Sequence, residues 1–515
     1  MSDCAAVANM MKNVMKLDDE GASAQAINAG LDVYGGWNDD LWTQGYLASA
    51  VAHKKTAEAS IKRAVRRTMM QKMKVGIFDS PASDLPWADL DAETLGHPDH
   101  VKINYDSAVQ SFVLLKNGAG SIAKGAVADA ALAQSVVLDH AAADAASASA
   151  VLPLTASTAT SIAVVGPMAM STALISDYEA GCVVGTADTV ASAIAAANIN
   201  GQTTMAAGVD INSADTTKIA AALALVKAAK TTVLVLGITR TEEHEGIDRH
   251  DTLLPGQQLP FAQQVIATAH AAGGKVILVV ISGGILSLDT IAQDCDAIID
   301  AFNPASQGPR ALAALLFGHE NRWGKLPVTI YPSNYTKDAD AAGLKIQSMS
   351  FSDPPGRSYR YYTGEATFVF GAGLSYTPFK LACSTATATA TTTLPITVKC
   401  SVTANGGAMR GDEVVQVYHR VGASLRTELE GTRAHAVPQK RLVGFQRITL
   451  DGGASGSVSI EVAARQCSVT NEDGDYELHT GSHELVVETG VGGVAPIVLP
   501  FTVATAQKWM NMHGF

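Results

Sequence analysis

Four short apolar runs constrain this chain more than any other feature. They read SIAVVGP (161–167), TTVLVLG (231–237), KVILVVISGG (275–284) and AIIDAFNP (297–304). Each is continuous rather than alternating, and each ends in Gly or Pro. A strand has that composition when both of its faces are buried. Stretches with helical spacing lie between them, among them DTTKIAAALALVKAAK and LPFAQQVIATAHAAGG. Buried strands alternating with helices predict a mostly parallel sheet covered on both faces. In such folds functional sites gather beyond the carboxyl ends of the strands.

The pattern changes near residue 380. LPITVKCSVTA, DEVVQVYHRV, KRLVGFQRITL, GSVSIEVAA and YELHTGSHELVVETG alternate apolar with polar residues and are separated by turn residues. They predict a β-sandwich. Residues 336–375 have no period and carry Pro354, Pro355 and Gly356, which reads as a linker wrapped over a surface. An Ala-rich stretch at 126–150 reads as a surface insertion, helical in parts. Near the start, INAGLDVYGG (27–36) reads as a short strand. The helical pattern after it places Ile61, Val65, Met69 and Met73 on one face and stops at Gly76. Met69, Met70 and Met73 are expected in a core. One strand-to-helix unit of this kind cannot close a sheet by itself.

Composition narrows the partners. The 515 residues carry a net charge of −12 and no basic cluster, which argues against nucleic acid and anionic membranes. No apolar run approaches the ~20 residues of a membrane span. Neutral substrates such as sugars fit. The six cysteines form no CxxC pair and the histidines show no ligand spacing, so neither a metal nor a cofactor is expected. The cysteines read as scattered core thiols with room for one or two bridges. The start has no basic segment followed by an apolar one, so no secretory signal is expected in the chain as written.

The stretch richest in chemistry is LGITRTEEHEGIDRHDTLLPGQQ (236–258), where a buried strand ends and Glu242, Glu243, Glu245, Asp248, Arg249 and Asp251 precede a helix. Crowded carboxylates repel one another, which favours a raised pKa and suits a general acid. A solvated acidic loop is the plainer reading of the same spacing. An ion pair between Asp248 and Arg249 would order it. Asn334–Thr336 fits a glycosylation acceptor if the protein enters a secretory route.

The loop and its Leu-Pro-Gly-x-Gln helix start resemble glycoside hydrolase family 3, in its β-xylosidase-like branch. IAVVGP, VVISGG, LLFGHENRWGKLPVTIYPSNYT, GRSYRYYTGE, FVFGAGLSYTPF, GDEVVQVY and PQKRLVGFQRITL follow in the family's order. The resemblance implies an α/β plus all-β protein. Residues 1–80 would be the C-terminal remnant of a (β/α)8 catalytic barrel. An α/β sandwich domain with a mostly parallel sheet would span 95–335, a linker 336–379, and a fibronectin-III-like β-sandwich 380–505. SDCAAV (2–7) resembles the end of the barrel's seventh strand, which makes Asp3 the nucleophile. Roughly six of eight βα units would then precede this chain. Without a strand to hold it, Asp3 is expected to fray.

The resemblance further implies Glu245 as acid/base, with Glu243 as the alternative, and carboxyls about 5–5.5 Å apart in the assembled site of a retaining enzyme. Tyr34 and Trp37 are candidate sugar-stacking residues, with core packing as their plainer role. Two positions depart from the family pattern: Ala5, where an acidic residue is usual, and NPASQG (303–308), where Pro-Gly-x-x-Gly is usual. The implied activity is that of a retaining exo-β-glycosidase acting on an oligosaccharide, most like a β-D-xylosidase. A β-glucosidase and a non-catalytic remnant or scaffold are the alternatives. This chain as written is expected to be inactive, and an extracellular location is expected of a full-length form.

Overall fold

Residues 1–35 contain no strand where INAGLDVYGG was expected to form one. The sequence INA closes a helix, α1 (Asp19–Asn28), and an extended segment follows to Gly35. The computed structural model describes residues 1–35, 41–42, 44–79, 85, 90–118, 137–138, 149–175, 177–178, 188–247, 249–336, 350–385, 395–406, 409–433, 436–490 and 495–510. The chain divides into two units, Met1–Leu95 and Gly96–Asn511.

In the first unit α1 begins on Asp18, whose carboxylate accepts from Gly21 N–H at 2.6 Å, and carries Asp19 and Glu20 in its first turn. Both features satisfy or neutralise the positive end of the helix. Helix α2 (Tyr46–Ala52) and the turn after it hold Glu20. Its carboxylate takes a hydrogen bond from Ser49 and lies 2.9 Å from Lys55 and 3.0 Å from His53. These partners, Ser49 foremost, draw its pKa down to about 2. A small core of Val7, Ala8, Ala22, Ala26 and Leu41 results.

Helix α3 (Glu58–Lys74) does not join that core as expected. Ala64 is its one buried residue, while Val65, Met70 and Met73 are 54%, 45% and 61% exposed. A five-residue core is too small to cover a 17-residue helix, so Val65 and Met73 of the apolar stripe are exposed and Ile61 and Met69 only half-buried.

The second unit opens with α4 (Pro98–Ser111) and β1 (Val113–Asn117). The four apolar runs supply β2 (Ser161–Val165), β4 (Thr231–Gly237), β5 (Lys275–Ile281) and β6 (Ala297–Asp300). Helix α5 (Val190–Ala197) leads to β3 (Gln202–Ala206), and α6 (Ile219–Ala228) and α7 (Gln258–Ala271) flank β4. The strand order is β1-β6-β5-β4-β2-β3. All neighbours pair in parallel except β1, which runs antiparallel to β6 and makes the sheet mixed. One core lies on each face. Leu234, Leu236, Leu278 and Phe261 fill one, and Val233, Val235, Ile277, Ile299 and helix α8 (Gly308–Leu316) the other. The linker is no mere wrapping. Phe368 and Ala372 are buried in the first core, and Ile330 bridges to Phe368.

The sandwich comprises β7 (Phe379–Thr385), β8 (Ile396–Ala404), β9 (Gly411–Val421), β10 (Arg441–Leu450), β11 (Ser455–Val462), β12 (Gly481–Glu488) and β13 (Ile497–Val503). One sheet runs β10-β9-β12-β13. The other runs β11-β8-β7, with Val137–Leu138 paired to the β7 edge. Apart from Ser149 and Ala150, the rest of the Ala-rich insertion lies outside the described residues. Strands β8 and β11 alternate buried and open positions as expected. Strand β9 is buried almost throughout because its outer face packs on the α/β layer. Gln416 reaches Gly371 O at 3.1 Å, and Asp412 pairs with Arg447, which donates to Trp323 O and Gln110 O. Cys383 and Cys400 face each other across β7 and β8 and are joined as a disulfide.

Candidate active site

The acidic loop leaves β4 at Gly237, whose φ of +154° and position admit no side chain: a Cβ there would lie 1.8 Å from Ile281 O. Gln258 of the Leu-Pro-Gly-x-Gln stretch explains that motif. Fully buried, it accepts from Gly237 N–H at 2.9 Å and donates to Gly237 O at 2.7 Å and Ile211 O at 2.8 Å. One side chain thus closes the loop's two ends on each other.

Within the loop Glu242, Glu243 and Glu245 turn to different partners. Glu242 turns back on Thr239, accepting from its N–H at 2.9 Å and its hydroxyl at 2.8 Å. Glu243, half-buried, crosses to the end of β5 and accepts from Gly284 N–H at 2.6 Å. A Cβ on Gly283 or Gly284 would come within 3 Å of that carboxylate, so the Gly-Gly pair makes room for it. Asn303 borders the same spot, 2.9 Å from a Cβ on Gly283.

Glu245 is exposed. Its N–H donates to Asp177 Oδ2 at 3.1 Å, and the Tyr178 hydroxyl donates to its carboxylate. Tyr178 stands at φ +62°, outside the range a tyrosine ordinarily adopts. Nothing in the sequence around residue 178 signalled these contacts, since they depend on a turn more than sixty residues away.

Asp248 lies outside the described residues. Arg249 approaches Asp251 at 3.8 Å and donates to Ile285 O and Leu253 O, tying the loop's far side to the β5 rim.

The other sequence candidates lie in the first unit. Asp3 is not frayed. Ser2 N–H donates to Val33 O at 3.0 Å and Ala5 N–H to Gly35 O at 2.9 Å, so Ser2–Ala5 lies along the extended segment. A Cβ on Gly35 would sit 2.8 Å from Ser2 O, which is why glycine occupies that position. The Asp3 carboxylate is exposed and accepts from Cys4 N–H at 2.8 Å. Tyr34 is half-buried with its ring centroid 6.0 Å from that of Trp42, against the small core, in keeping with its packing role. Trp37 lies outside the described residues.

Among the described residues no group of His, Cys, Asp and Glu is arranged to hold a metal ion, and no helix is long and apolar enough to cross a membrane.

Comparison with known proteins gives the architecture a context. Residues 146–376 match the glycosyl hydrolase family 3 C-terminal domain, and residues 413–491 match a fibronectin type III-like domain. The chain is 29% identical over 506 residues to β-xylosidase/α-L-arabinofuranosidase 2 of Medicago sativa subsp. varia, covering 95% of this chain and 60% of that protein. It is 28% identical over 546 residues to exo-1,4-β-xylosidase of Aspergillus niger, covering 99% and 61%. It therefore spans about three fifths of the curated relatives it matches. Among solved structures, a GH3 exo-β-xylosidase in complex with a xylobiose aziridine probe superposes with TM-score 0.76 at 24% identity, covering 98% of this chain and 61% of that one. A β-glucosidase of Listeria innocua in complex with glucose gives 0.74 at 21%, covering 98% and 62%. These likenesses share the fold.

Proposed function

We propose, from the premise that this chain carries the glycosyl hydrolase family 3 C-terminal domain followed by a fibronectin type III-like domain, that it is the C-terminal part of a retaining exo-β-glycosidase, most like a β-D-xylosidase. Its substrate is a xylo-oligosaccharide, cut at the non-reducing end. Residues 1–80 form the end of the catalytic barrel, and the remaining barrel corresponds to length that the relatives have in addition.

In this reading Asp3 attacks the anomeric carbon, the leaving oxygen departs with a proton from Glu245, and a glycosyl ester forms on Asp3. Glu245 then takes a proton from water, which attacks the same carbon and frees Asp3. Two inversions give net retention.

The observation that carries the assignment is the division of labour in the acidic loop. Glu243 accepts a backbone N–H at 2.6 Å and so is engaged as a fixed acceptor. Glu245, two residues on, is exposed and bonded through a tyrosine hydroxyl, which can follow a carboxyl through both protonation states. Glu243 is then a positioning residue. It fastens the loop to β5 so that Glu245 stands at the strand ends.

The disulfide between Cys383 and Cys400 supports an oxidising, extracytoplasmic location for the full-length protein. The test is hydrolysis of 4-nitrophenyl β-D-xyloside, with the product anomer followed by NMR, in a form extended at its N-terminus by the coding sequence 5′ of Met1. An α-anomer released first would overturn the retaining mechanism, and a glucoside cleaved far faster would move the substrate to glucose.

A further inference from the structure

Asn334, Tyr335 and Thr336 take no part in the chemistry above. They form the only Asn-x-Ser/Thr triplet in the 515 residues, the pattern that an N-glycosylating transferase reads. The transferase needs the Asn amide as nucleophile and the Thr hydroxyl beside it, so what matters is how the fold disposes the two.

The turn that carries the triplet is fastened on both sides of Asn334. Ser333 N–H and Ser333 Oγ donate to the two carboxylate oxygens of Asp289, both at 2.9 Å. Tyr335 N–H donates to Pro332 O at 3.0 Å, its ring centroid lies 4.0 Å from that of Tyr331, and its hydroxyl donates to Gly356 O at 3.1 Å. Asn334 between them is exposed, whereas Thr336 is 5% exposed. Asn334 also borders a groove of about 740 Å3, on whose lining the exposed Pro354, Thr363 and Glu365 stand. A sugar joined to its amide therefore meets solvent and groove rather than packed protein.

We propose that Asn334 is an N-glycosylation site, filled while the chain is still unfolded. The donor is an oligosaccharide carried on a polyprenyl pyrophosphate. The bond from the anomeric carbon of its first sugar to the phosphate oxygen breaks, and a bond from that carbon to Asn334 Nδ2 forms. The amide gives up one proton, and polyprenyl pyrophosphate leaves. The order of events follows from burial. In the folded chain Thr336 is closed to the transferase, so transfer precedes folding, and the exposed attachment point then lets the fold form around the modified residue. The site involves neither Asp3 nor Glu245. It rests on the extracytoplasmic location proposed from the Cys383–Cys400 disulfide, because the transferase and the oxidising conditions share one compartment.

The test is a peptide map of the protein purified from the cells that make it, with free thiols alkylated first and the glycan then released by peptide N-glycosidase in heavy-oxygen water. The expected map shows Asn334 converted to Asp with one heavy oxygen, and Cys383 and Cys400 protected from alkylation. A bare Asn334 with the disulfide intact overturns the proposal and leaves the location standing. A bare Asn334 with both thiols alkylated overturns the two together.

The timing is read in translation. Made with a cleavable secretory leader in the presence of microsomes, the chain gains a single glycosidase-sensitive increment in mass. Asn334→Gln and Thr336→Val abolish it, and Thr336→Ser retains it. The folded 515-residue protein given to the same solubilised transferase gains none, and gains the increment once it has been reduced and unfolded. Modification of the folded protein as readily as of the unfolded one would overturn the proposed order, and an increment that survives Asn334→Gln would overturn the site.

Discussion

Lys325 and Glu413 meet at 3.0 Å across the boundary between the α/β layer and the sandwich, with side chains 11% and 2% exposed. Lys325 spends its other donors on Gly373 O at 2.8 Å and Thr489 O at 2.7 Å, so its ammonium is fully coordinated. Each residue comes from a stretch that looked in the sequence like an isolated motif, RWGKLPV and GDEVVQVY. Their function here is to dock one layer on the other. Replacing Lys325 by Met would strand a buried carboxylate, a change that typically costs about 3–5 kcal/mol. Lys325→Met with Glu413→Leu should recover much of the loss. Urea midpoints of the two single variants and the double variant measure the coupling, and additive losses would mean that the pair is not coupled.

Asp300 ends β6 inside the protein, with one side-chain hydrogen-bond partner among the described residues, the Phe302 N–H at 3.2 Å. Burial pushes its pKa up to about 7 from an ordinary 3.8, with the Phe302 bond opposing. The folded state therefore holds the proton more tightly than the unfolded one. The stability this gives is complete below about pH 3.8 and is lost as pH rises through 7. Asp300→Asn keeps the acceptor for Phe302 and cannot ionise. Its advantage over the parent should grow from pH 4 to pH 8 by up to roughly 4 kcal/mol. A difference in urea midpoint that stays constant with pH would contradict this.

His419 and His483 give a slope of opposite sign. His419 Nε2 lies 2.9 Å from His483 Nδ1, and His483 Nε2 lies 2.9 Å from His479 O. Such a chain suits two neutral rings, His419 donating to His483 and His483 to the carbonyl. Burial, then His483 and Arg441, holds the pKa of His419 well below its usual value, and burial lowers that of His483. Their neutral forms contribute stability above about pH 6.5 that is lost as pH falls and the unfolded chain takes up protons. The urea midpoint should therefore fall between pH 6.5 and 5, and His419→Gln should flatten that decline. An equally steep decline in the variant would assign the acid sensitivity to other groups.

Limited proteolysis reports on the first unit. Its five-residue core and the exposed Val65, Met70 and Met73 leave α3 poorly covered, so Met1–Leu95 should be cut before the α/β layer. The backbone bonds of Ser2 and Ala5 to Val33 and Gly35 predict early sites within 58–79 rather than at the extreme N-terminus. Cleavage beginning inside β4 or β5 would contradict this ordering.

How much of this was legible depended on the range of the interaction. The continuous apolar runs announced β2, β4, β5 and β6 because a strand buried on both faces needs nothing but its own composition to be recognised. Alternation announced β8 and β11 for the same local reason. The antiparallel β1 was not separable from its neighbours, since direction leaves no mark on a short apolar run. Strand β9 lost its alternation to a partner far away in sequence. The stretch INAGLDVYGG misled because Ala-rich helix ends and short strands share apolar composition, and Asp18 as a helix cap decides between them. In the site, the acidic loop and Gln258 were readable as a motif. The tie from Glu243 to Gly284, the tyrosine on Glu245 and the tether of Asp3 were not, because each joins segments distant along the chain.

Glu243 and Glu245 can be told apart in the N-terminally extended form. Glu243→Gln keeps an acceptor for Gly284 N–H and should retain most of the activity. Glu243→Ala should lose the tie. Glu245→Gln should slow alkyl xylosides by about 10²–10⁴-fold while sparing dinitrophenyl xyloside, whose leaving group needs no proton, and azide should restore part of the rate. The reverse pattern would make Glu243 the acid/base.

The central claim is that Asp3 is the nucleophile of a retaining glycosidase. The most direct measurement is covalent labelling of the extended form with a xylobiose-configured aziridine, followed by peptide mapping. The account predicts one label per chain, on Asp3, lost in Asp3→Ala together with turnover of aryl xyloside, and no turnover by the 515-residue chain alone. A label on another carboxylate, or an Asp3→Ala variant that keeps its activity, would contradict it.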